Sequence, residues 1–351
     1  MTGGGIHIDG SFGEGGGQIL RTALALSCIT GRSFTITNIR ANRSKPGLRP
    51  QHLQCVQAAA RISGASVNGD RVGSSQISFE PGPTRPGDYR FDIGTAGATS
   101  LVLHTIFFPL ALADGPSSIT ITGGTHVPFA PCFHYLERQW APALDRAAFP
   151  ISLHMKSAGY YPAGGGQISV DIAPARAPLP LTITDRGGLV NVHILSTISN
   201  LPRHIAERQA ARAEKKLVRQ RLPLEVEIAD LPSPGKGTML FLHARFERSD
   251  ASFFGLGAIG KRAEKVADEA CEQLLDFLKT DGAVDRFLAD QMLIPTALAA
   301  GESRFTTERI TQHLLTNAEV IRMFLPAEIQ IEGRPAEPGA VTVRGPGWKA
   351  K

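Results

Sequence analysis

The chain has 351 residues, 42% of them hydrophobic, and a formal net charge of +5 at pH 7. A chain of this length can bury one large core or two domains. It contains no apolar run of about 18 residues that would span a membrane, and no signal-peptide pattern opens it, so we expect a soluble cytoplasmic protein. The charge suits an anionic partner but is too small for a protein that coats nucleic acid.

The first predicted helix is preceded by a glycine-rich segment, DGSFGEGGGQILR, from Asp9 to Arg21. Glycine lets the backbone approach a ligand closely, and the amide groups at a helix start attract phosphate. A carboxylate would repel phosphate, so we predict that Glu14 holds a divalent cation that bridges to it. A glycine-rich turn with a solvated glutamate accounts for this segment equally well.

The first helix, QILRTALALSCIT, is followed by a strand SFTITNI, a basic loop, a second helix RPQHLQCVQAAARIS and a short strand ASV. The loop carries Arg40, Arg43, Lys45 and Arg49 beside the start of the second helix. Basic groups and free helix amides together form an anion site, and the loop has few of the aromatic residues that stack on bases. We therefore predict contacts to phosphate, although such a charge run is more often a solvated loop.

The same order of elements occurs twice more along the chain. The second copy reads TSLVLHTIFFPLALAD, SSITITGG, APCFHYLERQWAPALDRAA and ISLHM, and the third reads VDRFLADQMLIPTALAA, SRFTTERI, HLLTNAEVIRMF and AEIQIEG. Gly31, Gly115 and Gly301 each follow the first helix of a copy and predict its end. The pattern therefore predicts an α+β fold whose main body consists of three helix-strand-helix-strand units.

The stretch between the second and third copies is too long for a simple connection. It contains a strand, a helix and two further strands, which suffice for a small domain. We predict a main body of residues 1–181 and 279–351 and an inserted α+β domain of residues 182–278. The basic helix at 212–222 is explained at least as well by a solvated face as by contact with RNA.

In the third copy, the loop TTERITQHLLTN places His313 at a helix start, where the first copy has its basic loop. A helix start disfavours imidazolium, so the ring stays neutral and nucleophilic near pH 7. The other nine of the ten histidines are better explained as structural. The segment GLGAIG at 255–260 fits a dinucleotide motif but lacks the parallel strands and the acidic residue that the motif needs.

Taken together, these segments resemble the RNA 3'-terminal phosphate cyclase family over nearly the whole chain. The resemblance is carried by DGSFGEGGGQILR, IRANRSKPGLRPQHL, FDIGTAGATSLVL, ITGGTHVPFAP, YYPAGGG, FLADQMLIPTALA and QHLLTN. It implies the repeated fold with an inserted α+β domain, and an enzyme that reacts with ATP and a divalent cation, Mg or Mn, to form an adenylate on a histidine. The AMP would pass to an RNA 3'-phosphate, and the neighbouring 2'-hydroxyl would close a 2',3'-cyclic phosphate.

The resemblance also implies roles for individual residues. His313 would be the catalytic nucleophile, Glu14 the metal contact, and Arg40 and Arg43 the contacts to the RNA phosphate. The implied ATP contacts are Arg21, Gln51, His104, Pro131, Phe254, Phe287, Asp290 and Gln291. His104 and Phe287 stand where we expect glutamine and tyrosine in many relatives, a difference that bears on nucleotide affinity or selectivity.

Two other functions fit parts of the pattern. A non-catalytic relative acting in RNA binding or ribosome assembly would not need His313, Glu14 and Arg21 together. An enolpyruvyl transferase would have two pseudo-symmetric halves with several repeats each, whereas this chain has three units and one insertion. The principal prediction is therefore a cyclase that acts on RNA with a 3'-terminal phosphate, and the sequence leaves its oligomeric state open.

Overall fold

A computed structural model describes residues 5–348 and gives them a mixed α+β fold, which confirms the predicted fold class. The strands of this part of the chain form four sheets of four strands each. Three of the sheets share one strand order and one pattern of parallel and antiparallel neighbours. Among the described residues, no helix is both long and apolar enough to cross a membrane.

The first unit is built around a helix that is buried on nearly all sides. Its elements are β1 (Ile6–Asp9), α1 (Gln18–Thr30), β2 (Phe34–Thr37), α2 (Pro50–Ser63), β3 (Ser66–Asn68) and β4 (Ile77–Glu80). The strand order is β1-β2-β4-β3, with β1 and β2 parallel and the other neighbours antiparallel. Helix α1 ends as predicted at Gly31, where φ is 72° and the amide donates to the Ser27 carbonyl.

The second unit repeats this order, with a π-helical turn inside its second helical segment. Its elements are β5 (Asp88–Asp92), α3 (Thr99–Ala111), β6 (Ser117–Gly123), α4 (Phe133–Tyr135), the π-helical turn (Leu136–Trp140), α5 (Ala141–Arg146), β7 (Ile151–Ser157) and β8 (Gly166–Ile172). The strand order is β5-β6-β8-β7. The predicted helix end at Gly115 is wrong, because α3 ends at Ala111 and Leu112 already has the non-helical conformation of a C-cap.

The third unit begins with a two-residue strand, β9 (Thr182–Ile183), and continues only after the inserted segment. The insertion comprises β10 (Leu189–Ser199), α6 (His204–Val218), β11 (Leu224–Asp230), β12 (Gly237–Phe246), β13 (Asp250–Leu256) and α7 (Ala263–Leu278). The unit resumes with α8 (Arg286–Gln291), α9 (Leu293–Leu298), β14 (Ala300–Thr307), α10 (Gln312–Phe324), β15 (Glu328–Glu332) and β16 (Gly339–Pro346). Its sheet has the order β9-β14-β16-β15.

Gly301 does not end a helix, contrary to prediction. Helix α9 ends at Leu298, Ala299 is already extended, and Gly301 lies inside β14, opposite Gly345 of β16. The strand therefore begins before the glycine that the sequence pattern assigned to the helix end.

Each unit has two more strands than the helix-strand-helix-strand pattern contains. The added strands are the first and the last of each unit, namely β1, β5 and β9 together with β4, β8 and β16. Several are short and mix charged with apolar residues, as in IHID and ISFE, so they lack a clear apolar run.

In every unit, the loop that precedes the second helical segment pairs with the last hairpin of that unit. We call these the second-helix loops, residues 38–49, 124–132 and 308–311. Backbone amides of Ile39, Thr125 and Ile310 donate to carbonyls of Ser75, Gly159 and Glu337, at 3.0, 2.9 and 2.8 Å respectively. The three loops are therefore topologically equivalent.

The inserted sheet has the order β11-β10-β12-β13, and its strand β12 is buried on both faces over most of its length. Met239 and Phe241 of β12 belong to the core that runs through the three units, whereas Leu240 and Leu242 pack with α6 and α7. Because β9 pairs with β14, the chain leaves the body after Ile183. The division into a body and an inserted domain remains a prediction.

The basic helix of the insertion has partners inside the protein. On α6, Arg208 pairs with Glu264 at 2.8 Å, Arg212 with Asp268 at 2.9 Å, and Lys216 with Asp268 at 3.2 Å. Both acidic partners lie on α7, which explains why α6 is so basic. These cations are thus engaged with α7, which lowers the charge that α6 offers to RNA.

Candidate active site

His313 lies in the first turn of α10, with half of its side chain exposed (50%). The hydroxyl of Thr311 accepts a hydrogen bond from the Leu314 amide at 3.1 Å and so begins the helix. The ring therefore sits at the positive end of the helix dipole, which disfavours its protonated form.

The glycine-rich segment packs against α10 and needs its glycines for contact. Gly13 has φ of 59°, and a Cβ on it would lie 2.3 Å from the Thr316 hydroxyl oxygen. A Cβ on Gly17 would lie 2.3 Å from Nε2 of His52. The amide of Glu14 donates to the same Thr316 hydroxyl at 3.2 Å. The bare backbone thus places Glu14 beside the first turn of α10.

Two acceptors face one ring nitrogen of His313. The side-chain oxygen of Gln18 is hydrogen-bonded to Nδ1, and Oε2 of Glu14 lies 2.9 Å from the same nitrogen. The Glu14 contact is a close approach without hydrogen-bond geometry, since Oε2 has no hydrogen-bond partner among the described residues. Because both groups are acceptors, the proton belongs on Nδ1, and the lone pair of Nε2 is free.

Gln18 is itself oriented by a carboxylate. Its side-chain amide donates to Oδ2 of Asp290 at 2.9 Å, which turns its oxygen toward His313. The backbone carbonyl of Asp290 accepts from the side chain of Asn317 at 2.8 Å, and Asn317 accepts from Thr22 at 2.7 Å. These hydrogen bonds therefore connect helices α1, α8 and α10 beside His313.

Burial and two arginines favour a neutral His313, against the effect of Asp290. Burial lowers its pKa most, Asp290 raises it, and Arg21 and Arg43 lower it further. Burial also raises the pKa of Asp290, against the effects of His313, Gln18 and Arg21. The balance leaves His313 with a pKa below its usual 6.5, so the imidazole is uncharged at neutral pH.

The predicted phosphate loop contributes two arginines with different surroundings. Arg43, with 42% of its side chain exposed, forms an ion pair with Oε1 of Glu14. Arg40, at φ of 55°, donates to the carbonyls of Lys45 at 2.6 Å and Gly47 at 3.2 Å. Arg43 thus faces the glycine-rich segment, whereas Arg40 supports the loop in this structure.

Three of the predicted ATP contacts lie on neighbouring helices of the first two units. Arg21 on α1 lies close enough to lower the pKa of both His52 and His104, each to about 3, after the larger effect of burial. His104 on α3 packs against Trp140, with ring centres 4.6 Å apart, and its Nε2 has no partner among the described residues. Gln51, at the start of α2, is half-buried.

The remaining predicted ATP contacts are distributed over three elements. Phe287 on α8 is 38% exposed and meets the edge of Tyr135, and the side chain of Gln291 donates to its carbonyl at 2.7 Å. Pro131 is half-buried just before α4. Phe254, on β13 of the insertion, is half-buried against the main core.

The contacts therefore join three of the predicted residues directly, namely Glu14, Arg43 and His313, and a fourth, Asp290, through Gln18. The sequence analysis did not include Gln18 and Thr316 in the site. Gln18 lies in the glycine-rich segment, but its two partners are 272 and 295 residues away along the chain. Only the packing of α1 against α8 and α10 reveals them.

The residues present fit a divalent cation only in part. Among residues 5–348, no group of three or more His, Cys, Asp or Glu side chains could hold a metal ion. Glu14 supplies one carboxylate, which forms an ion pair with Arg43 in this structure. Because Mg²⁺ commonly binds one protein carboxylate, waters and substrate phosphates, this donor set fits a cation that arrives with a nucleotide.

Known proteins match this chain over nearly its full length. A family model described as RNA 3'-terminal phosphate cyclase matches residues 12–331. The RNA 3'-terminal phosphate cyclase of Methylococcus capsulatus is 43% identical over 97% of this chain and 96% of its own length. The protein of that name from Pseudomonas fluorescens is 45% identical over 94% of each chain.

Among solved structures, the enolpyruvyl transferase NikO from Streptomyces tendae aligns with 99% of this chain and 50% of that chain. The TM-score is 0.38 at 10% identity, a likeness too weak to carry an argument.

Proposed function

The chain belongs to the RNA 3'-terminal phosphate cyclase family. On that premise we propose that it uses ATP to convert an RNA 3'-phosphate into a 2',3'-cyclic phosphate through a histidine adenylate. The observation that supports this most is the arrangement of His313, whose Nδ1 faces two acceptors while Nε2 is left free. A neutral ring in that tautomer is a nucleophile toward phosphorus.

In the first step, Nε2 of His313 attacks the α-phosphorus of ATP. The N–P bond forms as the bond to the pyrophosphate oxygen breaks, and pyrophosphate leaves. The ring becomes positively charged, and Oε2 of Glu14, 2.9 Å from Nδ1, stabilises that charge together with the oxygen of Gln18. A divalent cation bound with ATP would neutralise phosphate charge, and Glu14 would be its protein contact.

In the second step, an oxygen of the RNA 3'-phosphate attacks the AMP phosphorus, and the bond to Nε2 breaks. The RNA now ends in a phosphoanhydride to AMP. Arg43 is exposed beside Glu14 and is placed to contact the incoming phosphate. Arg40 is a weaker candidate, because its guanidinium already donates to two loop carbonyls.

In the third step, the neighbouring 2'-hydroxyl attacks the 3'-phosphorus, and AMP leaves with the anhydride oxygen. Adenylation makes this oxygen a good leaving group, and the fixed position of the 2'-hydroxyl supplies the proximity that the reaction needs. The hydroxyl proton is lost as the cyclic phosphate forms.

We further propose that the nucleotide lies among Arg21, Gln51, His104, Pro131, Phe254, Phe287, Asp290 and Gln291. Support comes from Arg21 and Asp290, which both affect the pKa of His313. The unpartnered Nε2 of His104 and oxygen of Gln291 are polar atoms that a ligand could satisfy. A cytoplasmic location is part of the same proposal.

The test uses an RNA whose 3'-phosphate carries ³²P, incubated with the protein, ATP and MgCl₂ or MnCl₂. The expected product keeps its label after phosphatase treatment, and AMP is released in equal amount. If the label stays phosphatase-sensitive while the RNA is bound, the proposal is wrong and a non-catalytic RNA-binding role is favoured instead.

A further inference from the structure

Two aromatic side chains of the second unit project into solvent. Phe129 is fully exposed (103%) and has φ of 65°, a conformation that bulky residues rarely adopt. Tyr161 is 72% exposed. Since neither ring adds to the core, an exposed Phe in a strained backbone conformation suggests a role in binding.

The two rings lie on paired segments of the chain. Phe129 belongs to the second-helix loop 124–132, and Tyr161 to the hairpin between β7 and β8. The amides of Thr125 and His126 donate to the Gly159 carbonyl at 2.9 and 3.0 Å, and His126 forms a backbone bridge with Tyr160. We call Phe129 and Tyr161 the aromatic shelf.

A series of close contacts leads from the aromatic shelf toward the nucleophile. In the Tyr161 hairpin, a Cβ on Gly164 would lie 2.9 Å from the Cα of Ala96. At Gly97, the residue that follows Ala96, an added Cβ would lie 3.5 Å from the Cβ of Gln51, at the start of α2. The next residue of α2, His52, touches Gly17 in the segment that holds Gln18 and Glu14.

The three segments that form the aromatic shelf and cover it carry no acidic residue, and the exposed Asp230 lies just before one of them. An insertion loop, residues 232–237, packs on the Tyr161 hairpin, where the Ala158 amide donates to the Pro232 carbonyl at 2.7 Å. This loop and the segments 124–132 and 158–165 contain no Asp or Glu. Lys236 is exposed and forms no ion pair within residues 5–348. The surface thus combines aromatic rings with a free cation.

We propose that the aromatic shelf stacks unpaired bases of the RNA strand, upstream of its 3'-phosphate. Every base has a π-face, so stacking on exposed rings holds a single strand without reading its sequence, while Lys236 meets the backbone. The equivalent loops of the three units would then have different roles in substrate binding and catalysis. The first carries Arg43, which would contact phosphate, the second carries Phe129 of the aromatic shelf, and the third leads into His313. Only the identity of the strand as RNA rests on the proposed function.

The test compares Phe129→Ala, Tyr161→Ala and the double variant with the parent. Fluorescence anisotropy at fixed salt would give Kd for a single-stranded RNA of about eight nucleotides with a 3'-phosphate, a length within single-strand site sizes. The Kd for a 3'-phosphorylated dinucleotide would be measured in parallel. We expect each Ala variant to bind the longer RNA about tenfold more weakly, with the dinucleotide and self-adenylation unchanged.

Conservative and remote variants serve as controls. Phe129→Tyr and Tyr161→Phe keep a stacking ring and should bind the longer RNA as the parent does. Val72→Ala removes an exposed apolar side chain from the corresponding hairpin of the first unit and should have no effect. These controls separate stacking from a general loss of apolar surface.

Three outcomes would overturn the proposal. Unchanged Kd for the longer RNA would remove the aromatic shelf from RNA binding. Equal losses for the dinucleotide and the longer RNA would place the rings at the reacting end. Loss of a protein partner with RNA binding intact would make the surface a protein interface. A protein that binds the longer RNA through both rings but forms no cyclic phosphate would refute the proposed function and leave this proposal standing.

Discussion

Two histidines occupy corresponding places in the first and third units, in the first turns of α2 and α10. His52 is buried, its Nδ1 accepts the Arg49 amide at 3.2 Å, and its Nε2 faces Gly17. His313 is half-exposed, and its Nδ1 faces the acceptors of Gln18 and Glu14. The first helical turn therefore holds, in one unit, a histidine that stabilises the helix start and, in the other, a histidine with an open ring nitrogen.

The difference between them lies in the tautomer and not in the charge. Burial and neighbouring arginines lower the pKa of both rings, that of His52 to about 3, so both are neutral at pH 7. In His52 the Nδ1 lone pair is used within its own helix and the proton must sit on Nε2. In His313 the proton sits on Nδ1, and Nε2 keeps its lone pair. A helix start alone is thus insufficient for nucleophilic reactivity.

The largest expected effect separates the two histidines directly. His313→Ala should reduce covalent labelling from α-³²P-ATP by about 10³-fold or more, because the attacking nitrogen is lost. His52→Ala should still label and instead lose about 1 kcal/mol of unfolding free energy through the unpaired Arg49 amide. Labelling of His313→Ala at the level of the parent would contradict the comparison.

A smaller effect is expected when the side chain that favours the Nδ1-protonated tautomer of His313 is changed. Gln18→Met keeps the length of the side chain but removes the oxygen that faces Nδ1. Self-adenylation should slow by about 10–100-fold, as when the partner that orients a functional histidine is removed. Gln312→Met, an exposed change next to His313, is the matched control and should keep the rate of the parent. Equal rates for the two variants would mean that Gln18 does not set the tautomer.

A change of charge should move the pH profile without removing the nucleophile. Arg43 lowers the pKa of His313, so Arg43→Ala raises that pKa, and the rise of self-adenylation with pH should occur at a higher pH. Where His313 is neutral, the variant should still accept AMP but transfer it poorly to RNA with a 3'-phosphate. Lys45→Ala, in the same loop, is the control. Equal impairment of both steps at every pH would place Arg43 in the ATP pocket.

The smallest expected effect is the contribution of His52 to the pH dependence of the unfolding free energy. Its folded pKa of about 3 lies below the usual 6.5, so the unfolded chain binds a proton that the folded chain rejects, and stability falls as pH falls from 6.5 toward 3. Between pH 7 and 5.5, urea unfolding should lose about 1 kcal/mol through this group. The buried His104 adds a loss of the same sign, since its pKa is also about 3.

The matched measurement uses His52→Asn at the same two pH values. Its unfolding free energy should fall by about 1 kcal/mol less than that of the parent, because one buried neutral histidine is gone. An unchanged pH dependence in this variant would mean that His52 is not held neutral in the fold.

The sequence predicted the long apolar elements and the motifs better than the short strands. Helices α1 and α2 begin and end within a residue or two of prediction, because apolar periodicity and Gly31 mark them. The strands at the sheet edges, such as β1 and β9, have four and two residues and gain their stability from pairing. Pairing depends on distant partners, which no local pattern contains.

The candidate site also contains residues that the sequence predicted and residues that it did not. Glu14 and His313 stand in segments whose residue types suggest chemistry, and the structure brings the two within 2.9 Å. The link from Asp290 through Gln18 to His313 depends on how α1, α8 and α10 pack, and a glutamine has no titrating group to draw attention. The tautomer of a histidine is likewise decided by its neighbours in space.

The most direct test of the account is to locate the adenylate on the chain. After reaction with α-³²P-ATP, trypsin digestion at mildly alkaline pH should yield one labelled peptide, residues 310–322, which contains His313. The bond should be acid-labile and stable to alkali, as for a phosphoramidate, and nuclear magnetic resonance should place the phosphorus on Nε2. Label on residues 44–61, which contain His52, or on Nδ1 of His313 would contradict the account.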